Sequence, residues 1–151
     1  MSTRPAGANP LAQMAEGAPA WFGDALSYGG RLAGAVAALT LVASESYDRT
    51  QVFAAAVAAL AGASCPLDRA HRGIAGPMRG LAAGLLFFSG TMLWSEPAGV
   101  LMTVLGAVAG AGMLISQHRE GRDVAAPVVA FFLGLGLSML CLVAVALAVE
   151  G

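Results

Sequence analysis

Side chains that could bind a metal ion are few and isolated. The two histidines, His71 and His118, lie in polar connections between apolar segments. Two histidines underfill a zinc site, and no cysteine or carboxylate cluster with ligand spacing accompanies them. The two cysteines, Cys65 and Cys141, lie in or beside apolar runs, where a thiol behaves as a small buried hydrophobe. We expect no metal and no cofactor, and we interpret both histidines as residues at the level of lipid headgroups.

A catalytic nucleophile is equally hard to assemble from this sequence. Ser89 lies between Phe88 and Gly90, but the glycine that a GxSxG elbow requires two residues before the serine is absent. The confident apolar runs hold no Asp, Glu, Lys, Arg or His. Because a charge in hydrocarbon costs at least ~2.5 kcal/mol and persists mainly where function needs it, this absence argues against a coupled transporter. The sequence predicts a protein that is not an enzyme.

The basic residues are all arginines, and they are concentrated in a few connections. Guanidinium groups match phosphate geometry in bidentate pairs. We therefore predict contact with lipid phosphates, or with the acidic surface of a partner subunit, for five of them: Arg69, Arg72, Arg79, Arg119 and Arg122.

The amino-acid composition indicates that most of this chain is surrounded by lipid and not by water. Of its 151 residues, 58% are hydrophobic and 11% are charged, against roughly 25% charged in a soluble domain. These fractions exclude a disordered protein and a conventional soluble enzyme, and the net charge of −1 argues against a nucleic-acid binder. We predict an all-α, polytopic membrane helical bundle over residues 21–151. Residues 1–20 read as a mobile, soluble N-terminal tail without a secretory signal.

Hydropathy divides the membrane domain into about five segments. They cover residues 32–43, 52–63, 81–94, 98–116 and 124–149. The first two are short for a bilayer that takes about 20 residues per span, so whether they fully cross is left open. Residues 21–26 read either as a short interfacial helix or as the start of the first segment. We expect Arg31 to snorkel toward the membrane surface.

Five crossings distribute the arginines very unevenly between the two faces. Seven lie on the face of the N-terminus, and only Arg49 lies on the other: Arg4, Arg31, Arg69, Arg72, Arg79, Arg119 and Arg122 form the larger group. Cytoplasmic loops carry such an excess. The pattern predicts a multi-pass protein of a cell inner membrane, with the N-terminus in the cytoplasm and the C-terminus outside.

Small residues at helical spacing are the most informative pattern inside the apolar segments. Glycines four residues apart share a helix face and let two helices approach closely. We expect helix packing at Gly80, Gly84, Gly90, Gly99, Gly106 and Gly110. Four hydroxyl side chains could bond between helices or, as is commoner, back to their own backbone: Ser89, Thr91, Thr103 and Ser138.

One stretch resembles a known family. Residues 87–93 read Phe-Phe-Ser-Gly-Thr-Met-Leu, which resembles the third helix of the YgdD-like family of small inner-membrane proteins. Residues 103–110 are similar to the start of that family's fourth helix, and residues 32–43 resemble its first. The family's histidines are absent, its fourth-helix proline is missing, and a fifth segment is added. The resemblance implies a compact helical membrane protein and supplies no catalytic residue.

The sequence combines glycine-lined helix faces that can pack closely with no recognisable set of catalytic residues. This combination favours a non-catalytic role. We expect an accessory, assembly or structural subunit of a larger membrane complex, surrounded by lipid and bound to other membrane subunits or to itself. The first alternative is an oligomeric channel or transporter component with a path lined by Ser and Thr. The second is a haem- or quinone-associated redox subunit that uses His71 or His118.

Overall fold

The computed structural model describes residues 21–43, 49–70, 75–121 and 125–150. These residues form α1 (Phe22–Val42), α2 (Arg49–Ala70), α3 (Ala75–Met92), α4 (Pro97–Arg119) and α5 (Ala125–Glu150). They include no strand, which confirms the predicted all-α class. The predicted N-terminal tail, residues 1–20, lies outside the described residues.

Three of these helices are long and apolar enough to cross a membrane. They are α1, α4 and the part of α5 over Ala125–Ala148. The apolar part of α2, Gln51–Leu67, is shorter. The prediction of a helical membrane protein is thus confirmed in its coarse form. Length and apolarity identify three candidate spans among the described residues rather than about five.

The two ends of α4 are set by residues with restricted or unusual backbone conformations. Glu96 is extended, and Pro97 opens α4, where its missing N–H and fixed φ cost nothing. At the other end, Gly121 takes φ 70°, a left-handed conformation that glycine adopts without strain, and its N–H bonds to the His118 carbonyl at 3.1 Å. A short turn over residues 93–96 separates α3 from α4.

The start of α1 resolves an alternative that the sequence leaves open. A single continuous helix runs from Phe22 to Val42, so residues 21–26 begin the first segment instead of forming a separate interfacial helix. At about 1.5 Å per residue this helix is roughly 31 Å long, close to the thickness of a bilayer's hydrocarbon core. The residues from Phe22 to Arg31, which precede the apolar run, therefore belong to the same helix as that run.

α1 and α4 form an antiparallel pair whose backbones touch. A Cβ built on Gly112 would lie 2.5 Å from the Ser27 amide nitrogen, and one on Gly30 would lie 2.9 Å from that of Ala109. Such approaches need residues with almost no side chain on the shared face. The start of α1 is thereby fixed beside the end of α4.

α3 packs against both α4 and α5, and it runs parallel to α5. Gly84 of α3 faces the Phe131 carbonyl of α5, and Gly106 of α4 faces the backbone of Phe87. Rings of Phe87, Phe88, Phe131 and Phe132 pack together beside this crossing, with neighbouring centroids 5.2–6.4 Å apart. α5 makes little contact with α4 and is held mainly through α3.

Many large apolar side chains lie on the outside of the bundle. α5 exposes the most of them: Val129, Phe132, Leu133, Leu135, Met139, Leu140, Leu142, Val143 and Leu147. Trp21 and Trp94 are also exposed, and they lie at opposite ends, because α1 begins where α3 begins and Trp94 follows the end of α3. Tryptophan at both ends is typical of the two interfaces of a membrane.

Adding a methyl group at Gly84 tests the α3–α5 crossing. We expect Gly84→Ala to lower the free energy of unfolding in detergent by about 1–3 kcal/mol, because the new Cβ meets backbone that cannot move aside. Gly136→Ala on α5 is the matched control, since nothing lies within 4 Å of a Cβ there. Equal effects of the two substitutions on denaturant-induced unfolding would contradict this packing.

Candidate functional site

A polar cluster joins three helices at the end of the bundle where α1 and α3 begin. The Arg79 guanidinium of α3 lies 3.2 Å from the Asp24 carboxylate of α1. The Ser116 hydroxyl of α4 donates to the same carboxylate oxygen at 2.7 Å, and Arg79 also donates to that hydroxyl at 3.4 Å. Asp24 is 54% exposed and Arg79 is 18% exposed. The cluster is therefore in contact with the solvent at this end and links α1, α3 and α4.

Close backbone packing brings Ser116 to Asp24. A Cβ on Gly23 would lie 2.8 Å from the Ser116 amide nitrogen, so the glycine lets α4 approach α1 one residue before the aspartate. Asp24 also lies in the first turn of α1, where a negative charge is favourable beside the partly positive helix end. Each side chain of the cluster is thus positioned by a different helix: Asp24 by α1, Arg79 by α3 and Ser116 by α4.

Gln117 lies next to this cluster and faces α3. Its side chain is 3% exposed, and its amide nitrogen has no hydrogen-bond partner in the structure. The amide rests against Gly76 in the first turn of α3, where a Cβ would lie 3.0 Å from Nε2. Sequence reasoning missed this residue, because a single glutamine near a helix end carries no motif.

Arg31 is buried at the middle of α1, which corrects the expectation that it snorkels. Only 1% of the residue is exposed. Its Nε donates to the Ser27 carbonyl at 3.1 Å, and its Nη1 donates to the Ser64 carbonyl and hydroxyl at 3.4 and 3.2 Å. The guanidinium carbon also lies 5.9 Å from the centre of the Tyr28 ring. The guanidinium is therefore hydrogen-bonded to α2 through Ser64 and to α1 itself through Ser27.

The burial of Arg31 has a recognisable signal in the sequence. The apolar run begins at Leu32, which makes Arg31 look like a flanking residue, but the helix begins ten residues earlier. Arg31 shares a helix face with Ser27 and Ala35, which are buried, whereas Leu32 and Val36 are exposed. The face with small side chains points inward. Without Arg31, the group of seven arginines that the five-segment prediction places on one face is reduced to six, against one on the other.

Three of the four hydroxyl residues considered in the apolar segments are buried in the bundle, and Thr91 is exposed. Ser89 of α3 and Ser138 of α5 are buried and bond to each other at 3.0 Å, while Thr103 is buried and donates to the Gly99 carbonyl at 3.0 Å. The exposed Thr91 donates to the Phe88 carbonyl. Both bonding patterns considered from the sequence occur.

The six glycines singled out for helix packing all lie beside backbone or ring atoms. Gly80 faces Pro127, Gly84 faces Phe131, Gly90 faces Thr103 and Gly99, Gly99 faces Leu93, Gly106 faces Phe87 and Ala83, and Gly110 faces the Phe131 ring. Five of these contacts join neighbouring helices, whereas the Gly99 contact with Leu93 closes the turn between α3 and α4.

The predicted arginine surface is only partly described. Arg79 lies in the polar cluster, and Arg119 is exposed at the end of α4. The side chain of Arg69 and the whole of Arg72 and Arg122 lie outside the described residues, as does His71. His118 is exposed beside Arg119. Over the described ranges, no group of three or more His, Cys, Asp or Glu side chains could hold a metal ion.

An apolar groove separates α4 from α5. Its volume is about 400 Å³, and its walls are Ala107, Gly110, Ala111, Met113, Leu114, Val128, Phe131 and Phe132. None of these side chains carries a charge or a hydrogen-bonding group. The groove exists because the two helices make little contact, and it opens on the apolar side of the bundle.

Comparison with known proteins gives no match: no family model, no curated protein and no solved structure matches this chain. The resemblance of residues 87–93 to the YgdD-like family stays a prediction.

Removing the Ser64 hydroxyl tests how Arg31 is held. We expect Ser64→Ala to lower the free energy of unfolding in detergent by about 1.5–3 kcal/mol, the usual value of a hydrogen bond to a charged group. Ser95→Ala, in the exposed turn after α3, should change it by less than about 0.5 kcal/mol. Pairing Ser64→Ala with Arg31→Met should abolish the effect of the serine. Additive losses in that double-mutant cycle would mean that the two residues are not coupled.

Proposed function

We propose that this chain is a non-catalytic integral membrane protein, an accessory, assembly or structural subunit that binds other membrane subunits or further copies of itself. The observation that carries this proposal is that the polar side chains bond from one helix to another. Arg31 with Ser64, Asp24 with Arg79 and Ser116, and the hydroxyls of α3 and α5 each hold one helix to another. Polar groups committed to helix contacts stabilise a scaffold and are not gathered around a substrate.

The proposed partner surface is α5. Of the three candidate spans it is the most apolar, with a mean hydropathy of 2.7, and the least buried, at 22%. It is held mainly through α3, so most of its circumference is open to lipid or to a neighbouring subunit. The groove beside α4 adds a concave surface to the same side of the bundle.

The channel alternative has less support in this geometry. A path lined by hydroxyl groups needs Ser89 and Thr103 to face a common wet space, and both are buried in contacts between or within helices. For the redox alternative, His118 is exposed at the bundle end, and its predicted companion His71 lies outside the described residues. We therefore retain the subunit hypothesis.

Five crossings remain our proposal for the topology, in a cell inner membrane with the N-terminus in the cytoplasm. α3 runs beside α5 from the Gly80–Pro127 contact to the Ser89–Ser138 bond, which supports a crossing by α3. α2 reaches the middle of α1 at Ser64, which supports its insertion to at least that depth. Six arginines on one face favour the orientation.

Reporter fusions test this topology. We expect a reporter that is active only outside the membrane to work when fused after Gly151 and to fail when fused before Met1. A cytoplasmic reporter should give the opposite pair of results, because an odd number of crossings separates the two ends. Both ends accessible from one compartment would contradict the five-crossing layout.

Truncating the exposed side chains of α5 tests the partner surface. We expect the triple variant Phe132→Ala, Leu133→Ala and Leu140→Ala to lose a partner that is retained by the wild type in mild detergent and detected by native mass measurement. The matched control replaces Leu32, Val36 and Leu39 with Ala on the exposed face of α1. Equal retention in both triple variants, or a wild type that is always a lone monomer, would contradict the proposal.

A further inference from the structure

The first turn of α3 offers hydrogen-bond donors at the end of the bundle. α3 is an 18-residue helix that begins at Ala75, and the first backbone N–H groups of any helix have no acceptor within it. Pro77 in this turn carries no N–H, so the described donors are the N–H groups of Ala75 and Gly76. Together these groups give the helix start a partial positive charge. Gly76 in this turn is buried and has no side chain, so a side chain from another helix can lie directly against the backbone.

Gln117 of α4 fills that position and brings a donor without an acceptor. Its Nε2 is buried and unpartnered, and it lies beside the Gly76 backbone. A side-chain amide carries two N–H donors, and leaving a buried donor unsatisfied is costly and rare in folded proteins. The arrangement is therefore incomplete in the protein alone and would be completed by an acceptor.

The charges around Gln117 favour a negative ligand of low charge. Arg79 lies one turn beyond Gly76 on α3, and its guanidinium faces the same end of the bundle. Asp24 compensates for one positive charge through its 3.2 Å contact with Arg79. Ser116 is already engaged with that carboxylate. What remains for a ligand is the partial charge of the helix start and the amide donors, which suit a singly charged oxyanion.

We propose that the first turn of α3 and the Gln117 amide form a binding site for a phosphate-class oxyanion, beside the Arg79–Asp24 ion pair. The two sources of this chemistry are the phosphodiester of a lipid headgroup and free inorganic phosphate. This assignment does not depend on the proposed subunit role, since it rests on donors inside one chain.

Thermal unfolding of the full chain in a neutral detergent tests the site. One arm titrates inorganic phosphate against sodium chloride at equal ionic strength, and the other adds phosphatidylglycerol against phosphatidylcholine. A ligand that binds only the folded state raises the midpoint of unfolding in a saturable way. We expect this response to phosphatidylglycerol, to phosphate, or to both, and a response to lipid alone identifies the headgroup as the source. No saturable response in either arm overturns the proposal.

Gln117→Met separates a binding role from a structural one. We expect the variant to bind about tenfold more weakly, as for the loss of one hydrogen bond to an anion. Without ligand it should be no less stable than the wild type, because an unsatisfied donor has been removed. Gln51→Met, which replaces a second buried glutamine near the opposite end of the bundle, should leave the ligand response unchanged.

A second substitution keeps the test decisive if methionine disturbs the packing. Gly76→Ala places a Cβ where the amide now lies and should also weaken the response to the ligand. A uniform loss of stability in Gln117→Met, equal with and without ligand, would assign Gln117 a purely structural role and overturn the proposal.

Discussion

A guanidinium ion at the middle of a helix of bilayer length constrains much of this bundle. An unpaired charge in hydrocarbon is costly, and Arg31 is 1% exposed near the middle of α1, so its partners must come from the bundle itself. The serine hydroxyl and carbonyl of α2 at Ser64, together with the Ser27 carbonyl, accept its hydrogen bonds. α1 therefore needs α2 beside it at this depth. α4 then covers another part of α1 through the Gly30 and Gly112 contacts.

Small side chains carry this packing wherever two helices cross. Close approach of backbones is the main route to tight helix contact in lipid, where no hydrophobic effect drives helices together. The Ser89–Ser138 bond is possible because Gly84 and Gly134 bring α3 and α5 together one turn earlier. The same logic sets Ser116 beside Asp24, next to Gly23. Glycines set the spacing in this protein, and hydroxyl or charged groups then add the directional contacts.

Much of the architecture follows from patterns that are local in the sequence. The all-α class and the most apolar helices come from composition and hydropathy. The burial of Arg31 does not follow from hydropathy, which registers only an arginine beside an apolar run; the small residues Ser27 and Ala35 on its helix face are the one local signal that this face is covered. Nor does the Asp24–Ser116 contact, which joins residues far apart in the chain. The position of Gln117 is the least predictable, since its amide can rest against α3 only because Gly76 has no side chain.

The distribution of side chains also indicates where specificity can reside. Nine large apolar side chains lie outward on α5, while the helix crossings inside the bundle are lined by serine, glycine and alanine together with a few large residues such as Leu86 and Met102. Hydrocarbon stabilises so large an exposed apolar surface, whereas water would not. In such a solvent the outward face gains little free energy from burial alone, so recognition along it depends on shape, as in the groove between α4 and α5. Polar recognition is then confined to the bundle ends. Among the described residues, the end that holds Asp24, Arg79 and Gln117 combines charge, donors and solvent contact, which makes it the part of the molecule best suited to bind a hydrophilic group.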